Sequence, residues 1–166
     1  VTVDMPLLDV AYEERIEMMK RADQAVMDYD SRIKMAMVNH YDEVRSRVIA
    51  TSEGIYLKDE LPLLFFIVQA MSDDGNARHM ARERLSKHSG FEMSSEEVAE
   101  RAAREAIAML DAEEAPAGMM DVVMQNGWGG VLVHEAVGHP LEADNISKGI
   151  GAFTGKLGQK VASDVF

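Results

Sequence analysis

Apolar residues recur at helical spacing in two stretches of the chain. In residues 9–27 they fall on one face, charged residues occupy the other positions, and Asp9 stands where a helix N-cap is expected. In residues 95–111 a second apolar stripe follows Ser94, which precedes Glu97 by three residues in the order of a capping box. The pattern therefore predicts two amphipathic helices, at 9–27 and 95–111.

Between the predicted helices, apolar and polar residues alternate with the period of two that is typical of strands. Residues 33–38 and 44–50 predict a half-buried hairpin, with the polar residues 39–43 as its connection. A short strand is predicted at 55–58, and the nearly continuous apolar run 63–70 predicts a central strand. These segments together indicate a mostly antiparallel sheet.

The segment after the polar turn 73–76 allows two interpretations. Residues 77–86 form either a strand that pairs back on 63–70 or a basic helix, and we favour the strand because the turn has a hairpin sequence. The basic residues of this segment are interpreted as a solvated face: Arg78, Arg82, Arg84 and Lys87. The sheet and the two helices predict an α+β fold with the helices on one face of the sheet.

An acidic and then proline-containing stretch, 112–118, is the clearest boundary signal in the chain. We expect an N-terminal α+β domain at 1–114 and the truncated start of a second domain at 115–166. In the second domain, residues 119–124 predict a strand, and a glycine-rich turn then leads into an apolar helix. Residues 161–166 again have a strand-like pattern.

Two histidines and a glutamate stand together at the end of that apolar helix: His134, Glu135 and His139. Imidazole suits Zn²⁺, and a carboxylate beside the ligands can take a proton from a water that the metal activates. The order H-E-x-x-x-H therefore indicates part of a site for metal-assisted hydrolysis.

The histidine spacing requires a break in regular helical geometry. At roughly 100° per residue, five steps along an α-helix leave the second ring about 140° from the first. Gly138 leaves helical geometry easily, and Pro140 disfavours the helical conformation for the residue before it. We expect either that the helix ends or loosens at Gly138, so that His139 turns back from a non-helical position, or that a π-type bulge brings the rings together.

Two carboxylates follow the motif closely. We expect Glu142 or Asp144 to orient a histidine ring by a hydrogen bond without binding the metal itself. The alternative is that Glu142 is a further metal ligand. The polar, glycine-rich residues 145–158 are either a substrate-binding loop or a plain connection. Trp128 is interpreted as a packing anchor. The remaining histidines are assigned surface or structural roles: His40, His79 and His88.

Charge and composition limit the classes of partner. The chain has 29 Asp plus Glu against 17 Lys plus Arg, a net charge of −12, which repels phosphate backbones and anionic membranes. We therefore expect no nucleic-acid partner and no membrane partner, and no apolar run reaches the length of a transmembrane helix. The chain has no cysteine, which is compatible with the cytoplasm.

The sequence GWGGVLVHEAVGHPLEAD at 127–144 resembles the signature of the TldD type in the TldD/PmbA family of zinc metalloproteases, historically also called modulators of DNA gyrase. Residues 115–118, 148–149 and 153–155 extend the likeness, which is dense over about 113–160. In many members glycine stands where this chain has Pro140 and Ala143. The presence of His139 favours the TldD type, because the PmbA type lacks the second histidine.

The resemblance implies that His134 and His139 bind Zn²⁺ and that Glu135 is the catalytic base. It also implies a further ligand, a cysteine, from a later part of a chain of more than 400 residues. The implied substrates are peptides or unfolded polypeptides. The implied assembly is with a PmbA-like paired subunit or as a homo-oligomer, and the implied location is the cytoplasm.

Our leading hypothesis is that the chain is the N-terminal part of a TldD-like zinc peptidase, and that residues 1–166 alone are inactive because two histidines do not complete a tetrahedral site. The alternative is a non-catalytic docking domain of a heteromeric complex, in which the histidines are structural. The two hypotheses differ in whether the protein binds metal through His134.

Overall fold

The computed structural model describes residues 6–127 and 129–164. The chain divides into two compact units, Val1–Glu114 and Ala115–Phe166. Trp128 and residues 165–166 lie outside the described residues, so the packing role of Trp128 stays a prediction.

The first unit contains a three-stranded antiparallel sheet with the order β1-β2-β3. The strands are β1 (Ile33–Ala50), β2 (Tyr56–Asp73) and β3 (Arg78–Lys87). The predicted hairpin within 33–50 is wrong, since these residues form one 18-residue strand. Its polar middle stays extended because β2 pairs with it residue by residue, for example Tyr41 with Phe65.

The predicted central strand is part of β2, which lies between the other two strands, and 77–86 is a strand as we favoured. The turn between them is fixed by aspartates. Asp73 Oδ1 accepts a hydrogen bond from Gly75 N at 2.8 Å, and Asp74 Oδ1 accepts one from Asn76 N at 2.8 Å. Gly75 has φ +89°, a value that glycine adopts without steric cost.

Two helices cover one face of the sheet, α1 (Tyr12–Tyr29) and α2 (Ser95–Leu110). Asp9 is not the N-cap of α1; it ends a short 3₁₀ turn, and the extended backbone at Val10 separates that turn from the helix. The cap of α2 is confirmed, because Ser94 Oγ accepts a hydrogen bond from Glu97 N at 3.2 Å.

The hydrophobic core lies between the sheet and these helices. Alternate residues of β2 point into it, and Leu64, Phe66, Val68 and Ala70 are fully buried. Fully burying a side chain of the size of Leu64, Phe66 or Val68 contributes about 1.5–3 kcal/mol. The confirmed α+β architecture therefore rests on one buried sheet face.

The opposite sheet face and one end of the sheet are open to solvent. Met37, Tyr41 and Met80 on the open face are 43%, 52% and 56% exposed. The pairing of β3 with β2 reaches only from Asp73 to Leu64, so β1 and β2 continue beyond it as a two-stranded arm. Residues 45–60 of this arm are exposed throughout.

The second unit consists of short helical turns and loops, without a strand among its described residues. The strands expected at 119–124 and, as far as described, at 161–164 are therefore wrong. An isolated strand leaves its backbone hydrogen bonds unpaired, and these segments have no partner strand in the described chain. Val123 is 98% and Leu157 102% exposed, so apolar residues of this unit face solvent.

Candidate metal centre

The metal motif lies where one helical geometry changes into another. Helix α3 (Gly129–Val133) continues into a π-helical turn, His134–Gly138, and then into a 3₁₀ turn, His139–Leu141. The backbone N–H of His139 donates to the carbonyl of His134, the five-residue hydrogen bond of a π-helix. The π-type alternative is thus confirmed.

His139 keeps helical backbone angles, φ −58° and ψ −42°, so the non-helical position expected for it is wrong. Pro140 lies in the first turn of the 3₁₀ segment, where its missing N–H removes no helical hydrogen bond. The wider π turn, and not an end of the helix at Gly138, brings the two histidines to one side.

The π turn brings the two imidazoles into close edge-to-face contact. The ring centroids of His134 and His139 are 4.5 Å apart, with the ring planes at 73°. Glu135 Oε2 lies 3.8 Å from His139 Nε2. Each of these three residues offers one ligand atom, and all three atoms lie within 4.8 Å of one another.

The cluster is accessible to solvent. The side chain of His139 is 46% exposed and that of Glu135 is 62% exposed. The structure therefore brings the three residues of the motif together at the surface of the second unit.

Glu142 contacts the second histidine directly. Its Oε1 lies 2.8 Å from His139 Nδ1, and this hydrogen bond, followed by the charge of Glu142 and then that of Glu135, raises the pKa of His139 above its ordinary value. With Nδ1 occupied by a carboxylate, Nε2 is left facing Glu135. Asp144 lies apart from the histidines and pairs with Lys148 at 3.6 Å.

Asn145 also contacts the second histidine and was not predicted as a site residue. Its Nδ2 donates to the carbonyl of His139 at 3.1 Å and lies 3.4 Å from Glu142 Oε2. Asn145 belongs to helix α4 (Ala143–Ser147), whereas we expected a substrate-binding loop or a plain connection at 145–158. The available signal was its position three residues after Glu142, which is neighbour spacing on a helix.

The other histidines contact different surroundings. His40 is buried under Phe91, whose ring centroid lies 5.7 Å away. His88 Nδ1 lies 3.3 Å from the carbonyl of Pro62. His79 is on β3, and none of the three belongs to the described cluster.

The donor set fits a divalent metal of the zinc type. Two imidazoles and a carboxylate are ligand types that Zn²⁺ takes, and here their ligand atoms lie within 4.8 Å of one another. A carboxylate on the far nitrogen of a ligating imidazole is the usual outer partner. His134 and His139 would hold the ion, with Glu135 beside it.

Two family models match the chain. The PmbA/TldA metallopeptidase central domain matches residues 6–110, and the PmbA/TldA metallopeptidase C-terminal domain matches residues 117–166. The matched domains are thus the central and C-terminal ones of the family, whereas the sequence analysis placed the chain in its N-terminal part.

Curated relatives agree with these matches. The Metalloprotease TldD homolog of Haemophilus influenzae is 34% identical over 174 residues, covering 95% of this chain and 35% of the relative. A Metalloprotease of Methanothermobacter thermautotrophicus is 30% identical over 163 residues, covering 96% of this chain and 36% of the relative. The chain therefore spans about a third of the length of these relatives.

A solved structure shares the fold. It is a Thermotoga maritima protein described as a candidate modulator of a DNA gyrase, with a TM-score of 0.82 at 23% sequence identity, covering 98% of this chain and 38% of that protein. The two family matches span both units of the chain and include the histidine motif. The chain belongs to the PmbA/TldA metallopeptidase family.

Proposed function

We propose that the protein is a zinc-dependent peptidase whose site is built on His134, Glu135 and His139. The observation that carries the proposal is the π turn, which brings these three side chains within 4.8 Å of one another in a chain of a metallopeptidase family. Two imidazoles leave a tetrahedral Zn²⁺ incompletely held, so a further ligand from outside residues 1–166 completes the site.

The residues have distinct parts in the proposed hydrolysis. A bound Zn²⁺ supplies a Lewis acid that polarises the peptide carbonyl and lowers the pKa of water. Glu135, whose Oε2 lies beside the histidine cluster, accepts a proton from the attacking water and passes it to the departing amine. Glu142 holds the ring of His139 through Nδ1 and leaves Nε2 to face the metal.

The proposed substrates are peptides or unfolded polypeptides in the cytoplasm, and the proposed assembly pairs the protein with a PmbA-like subunit or a second copy. An exposed cluster is compatible with access of an extended chain, since His139 is 46% exposed. Residues 1–166 alone are expected to be inactive, because the metal site needs the further ligand.

Replacement of Glu135 tests the proposal. Glu135→Gln in the full-length protein keeps the side-chain shape but removes the base, so peptide hydrolysis should fall by about 100-fold or more while bound zinc stays near the wild-type amount. Glu100→Gln, an exposed acid on α2, is the control and should leave both unchanged. Hydrolysis at the wild-type rate in Glu135→Gln would overturn the assigned role.

A further inference from the structure

Asn145, which has no part in the proposed chemistry, hydrogen-bonds to the turn that carries His139. Asn145 Nδ2 donates to the backbone carbonyl of His139 at 3.1 Å and lies 3.4 Å from Oε2 of Glu142. The other oxygen of the same carboxylate, Oε1, is the one that lies 2.8 Å from His139 Nδ1. One amide group therefore contacts both the backbone of the histidine and the carboxylate that orients its ring.

The main chain of Asn145 also fixes the following loop. Its carbonyl accepts hydrogen bonds from Ile150 N at 3.1 Å and Gly151 N at 3.2 Å. A Cβ added at Gly151 would lie 3.1 Å from the carbonyl oxygen of Pro140, so the loop passes close to the 3₁₀ turn. Asn145 thus connects the turn, helix α4 and the loop, and it is partly buried where most of its neighbours are exposed.

We propose that Asn145 is a positioning residue of the metal site, which acts through Glu142 to fix the ring orientation of His139. This inference rests on the proposed function, because the orientation matters for a metal bound through Nε2. A carboxylate held at one oxygen by an amide donor has fewer orientations in which its other oxygen can meet His139 Nδ1. Loss of the carboxylate that holds a ligating imidazole typically costs about 10–100-fold in metal affinity, and a residue that acts through Glu142 changes the affinity by no more than that.

The chemistry of the amide separates positioning from simple space filling. Asn145→Asp keeps the shape of the side chain but replaces the donor by an oxygen, which then faces the carbonyl of His139 and the carboxylate of Glu142. Asn145→Ala removes the group altogether. If the amide N–H donor of Asn145 positions the site, Asn145→Asp weakens Zn²⁺ binding at least as much as Asn145→Ala does.

Ser147 supplies a matched control on the same helix. Its Oγ donates to the carbonyl of Asp144 at 3.0 Å and has no contact with the histidine cluster in the described structure. Ser147→Ala therefore also removes a side-chain hydrogen bond to the backbone, without touching Glu142.

The test measures Zn²⁺ affinity by competition with a chelator, and the visible spectrum with Co²⁺ in place of Zn²⁺, in the full-length protein. We expect Asn145→Ala and Asn145→Asp to weaken Zn²⁺ binding by roughly 10-fold and to shift the Co²⁺ bands, with Ser147→Ala unchanged. In a Glu142→Ala background, Asn145→Ala should add little further loss, because the two residues act as one unit.

Each outcome decides a separate question. Wild-type affinity and Co²⁺ spectrum in both Asn145 variants would overturn the positioning role while leaving the zinc site intact. Additive losses in the double variant would show that Asn145 does not act through Glu142, and that too would overturn the inference. No Zn²⁺ binding in the wild-type protein would overturn the proposed function as well. Circular dichroism of each variant shows whether a loss of Zn²⁺ affinity comes from unfolding. If Asn145→Ala unfolds, the Zn²⁺ affinity and Co²⁺ spectrum of the isosteric Asn145→Asp variant decide whether Asn145 positions the site.

Discussion

At the residue scale, His40 shows how burial sets the protonation of a side chain in the first unit. Its side chain is 7% exposed, and its Nε2 lies 4.0 Å from Oδ2 of Asp42, which in turn pairs with Arg15 at 3.1 Å. Burial lowers the pKa of His40; the charge of Asp42 opposes this shift, and Arg15 adds to it. The imidazole is therefore neutral in the folded unit at pH values where a free histidine begins to take up a proton.

This shift predicts a loss of stability in mild acid. Because the pKa of His40 is lower in the folded than in the unfolded chain, its unfavourable contribution is absent well above pH 6.5 and grows as the pH falls below that value. The urea midpoint of the first unit should therefore decrease as the pH is lowered from 7.5 to 5.5. The decrease should be smaller in His40→Gln. His79→Gln on β3 is the control, and an equal pH dependence in wild type and His40→Gln would contradict the assignment.

Single residues also show what the sequence could predict of the site. Residue type and spacing were enough to predict four of them: His134, Glu135, His139 and Glu142. The structure brings the ligand atoms of the first three within 4.8 Å of one another and places Glu142 against the ring of His139. Asn145 was not predicted, because its contact with His139 depends on a short helix whose only sequence signal was the spacing of Asn145 from Glu142. A contact between backbone and side chain leaves little signal in residue type alone.

At the scale of elements, the arm formed by the ends of β1 and β2 is separate from the core. Its residues 45–60 are exposed, and the cross-strand ion pair of Arg47 with Asp59 lies at the surface. Exposed ion pairs contribute about 0–1 kcal/mol, and isolated two-stranded hairpins are marginal. The arm therefore adds little to the free energy of unfolding of the first unit.

Shortening the arm tests this directly. Replacing residues 47–59 by Asn-Gly, a two-residue hairpin turn, should change the free energy of unfolding of the first unit by less than about 1 kcal/mol in urea titrations. Phe66→Ala, which empties a fully buried position of β2, should cost about 3–5 kcal/mol in the same experiment. A loss of similar size on shortening would show that the arm belongs to the folding core.

The elements that sequence patterns predicted best are those defined by local contacts. The apolar stripe and the cap of α2 depend on residues within one helix. The histidine spacing likewise predicted a break in α-helical geometry, and the π turn is one of the two alternatives that it left open. The polar middle of β1 was interpreted as a loop because nothing local shows that β2 pairs along its whole length. The strand predicted at 119–124 was wrong because a strand-like pattern forms a strand only where a partner strand pairs with it, and the described chain offers none there.

At the scale of the whole molecule, the two units differ in how much they bury. Among the described residues, seventeen apolar residues of the first unit are buried in its core, whereas none of the second unit is fully buried. Hydrophobic burial is the main favourable term in folding, so the first unit has a far larger source of stability. Residues 112–117, which include the boundary between the units, are exposed and without regular structure.

Limited proteolysis should reveal this difference. A glutamate-specific protease acting on residues 1–166 should cleave after Glu113 or Glu114 before it cuts the helices of the first unit, because exposed, irregular backbone is cut first. Mass spectrometry of the early products should show cleavage after Glu113 or Glu114 while α1 and α2 remain uncut. The exposed Glu53, in the turn that joins β1 and β2, is open to cleavage for the same reason. Early cleavage within α1 or α2, at a rate equal to that at the boundary, would contradict the assigned difference in stability.

The central claim is that the π turn forms a zinc site from His134 and His139. The most direct measurement is zinc content by elemental analysis of the full-length protein, compared with His134→Ala, His139→Ala and the control His79→Ala. We predict close to one zinc per chain in the wild type and in His79→Ala, and a loss in both site variants. Zinc that is absent from the wild type, or retained in both site variants, would contradict the claim and favour a docking domain with structural histidines.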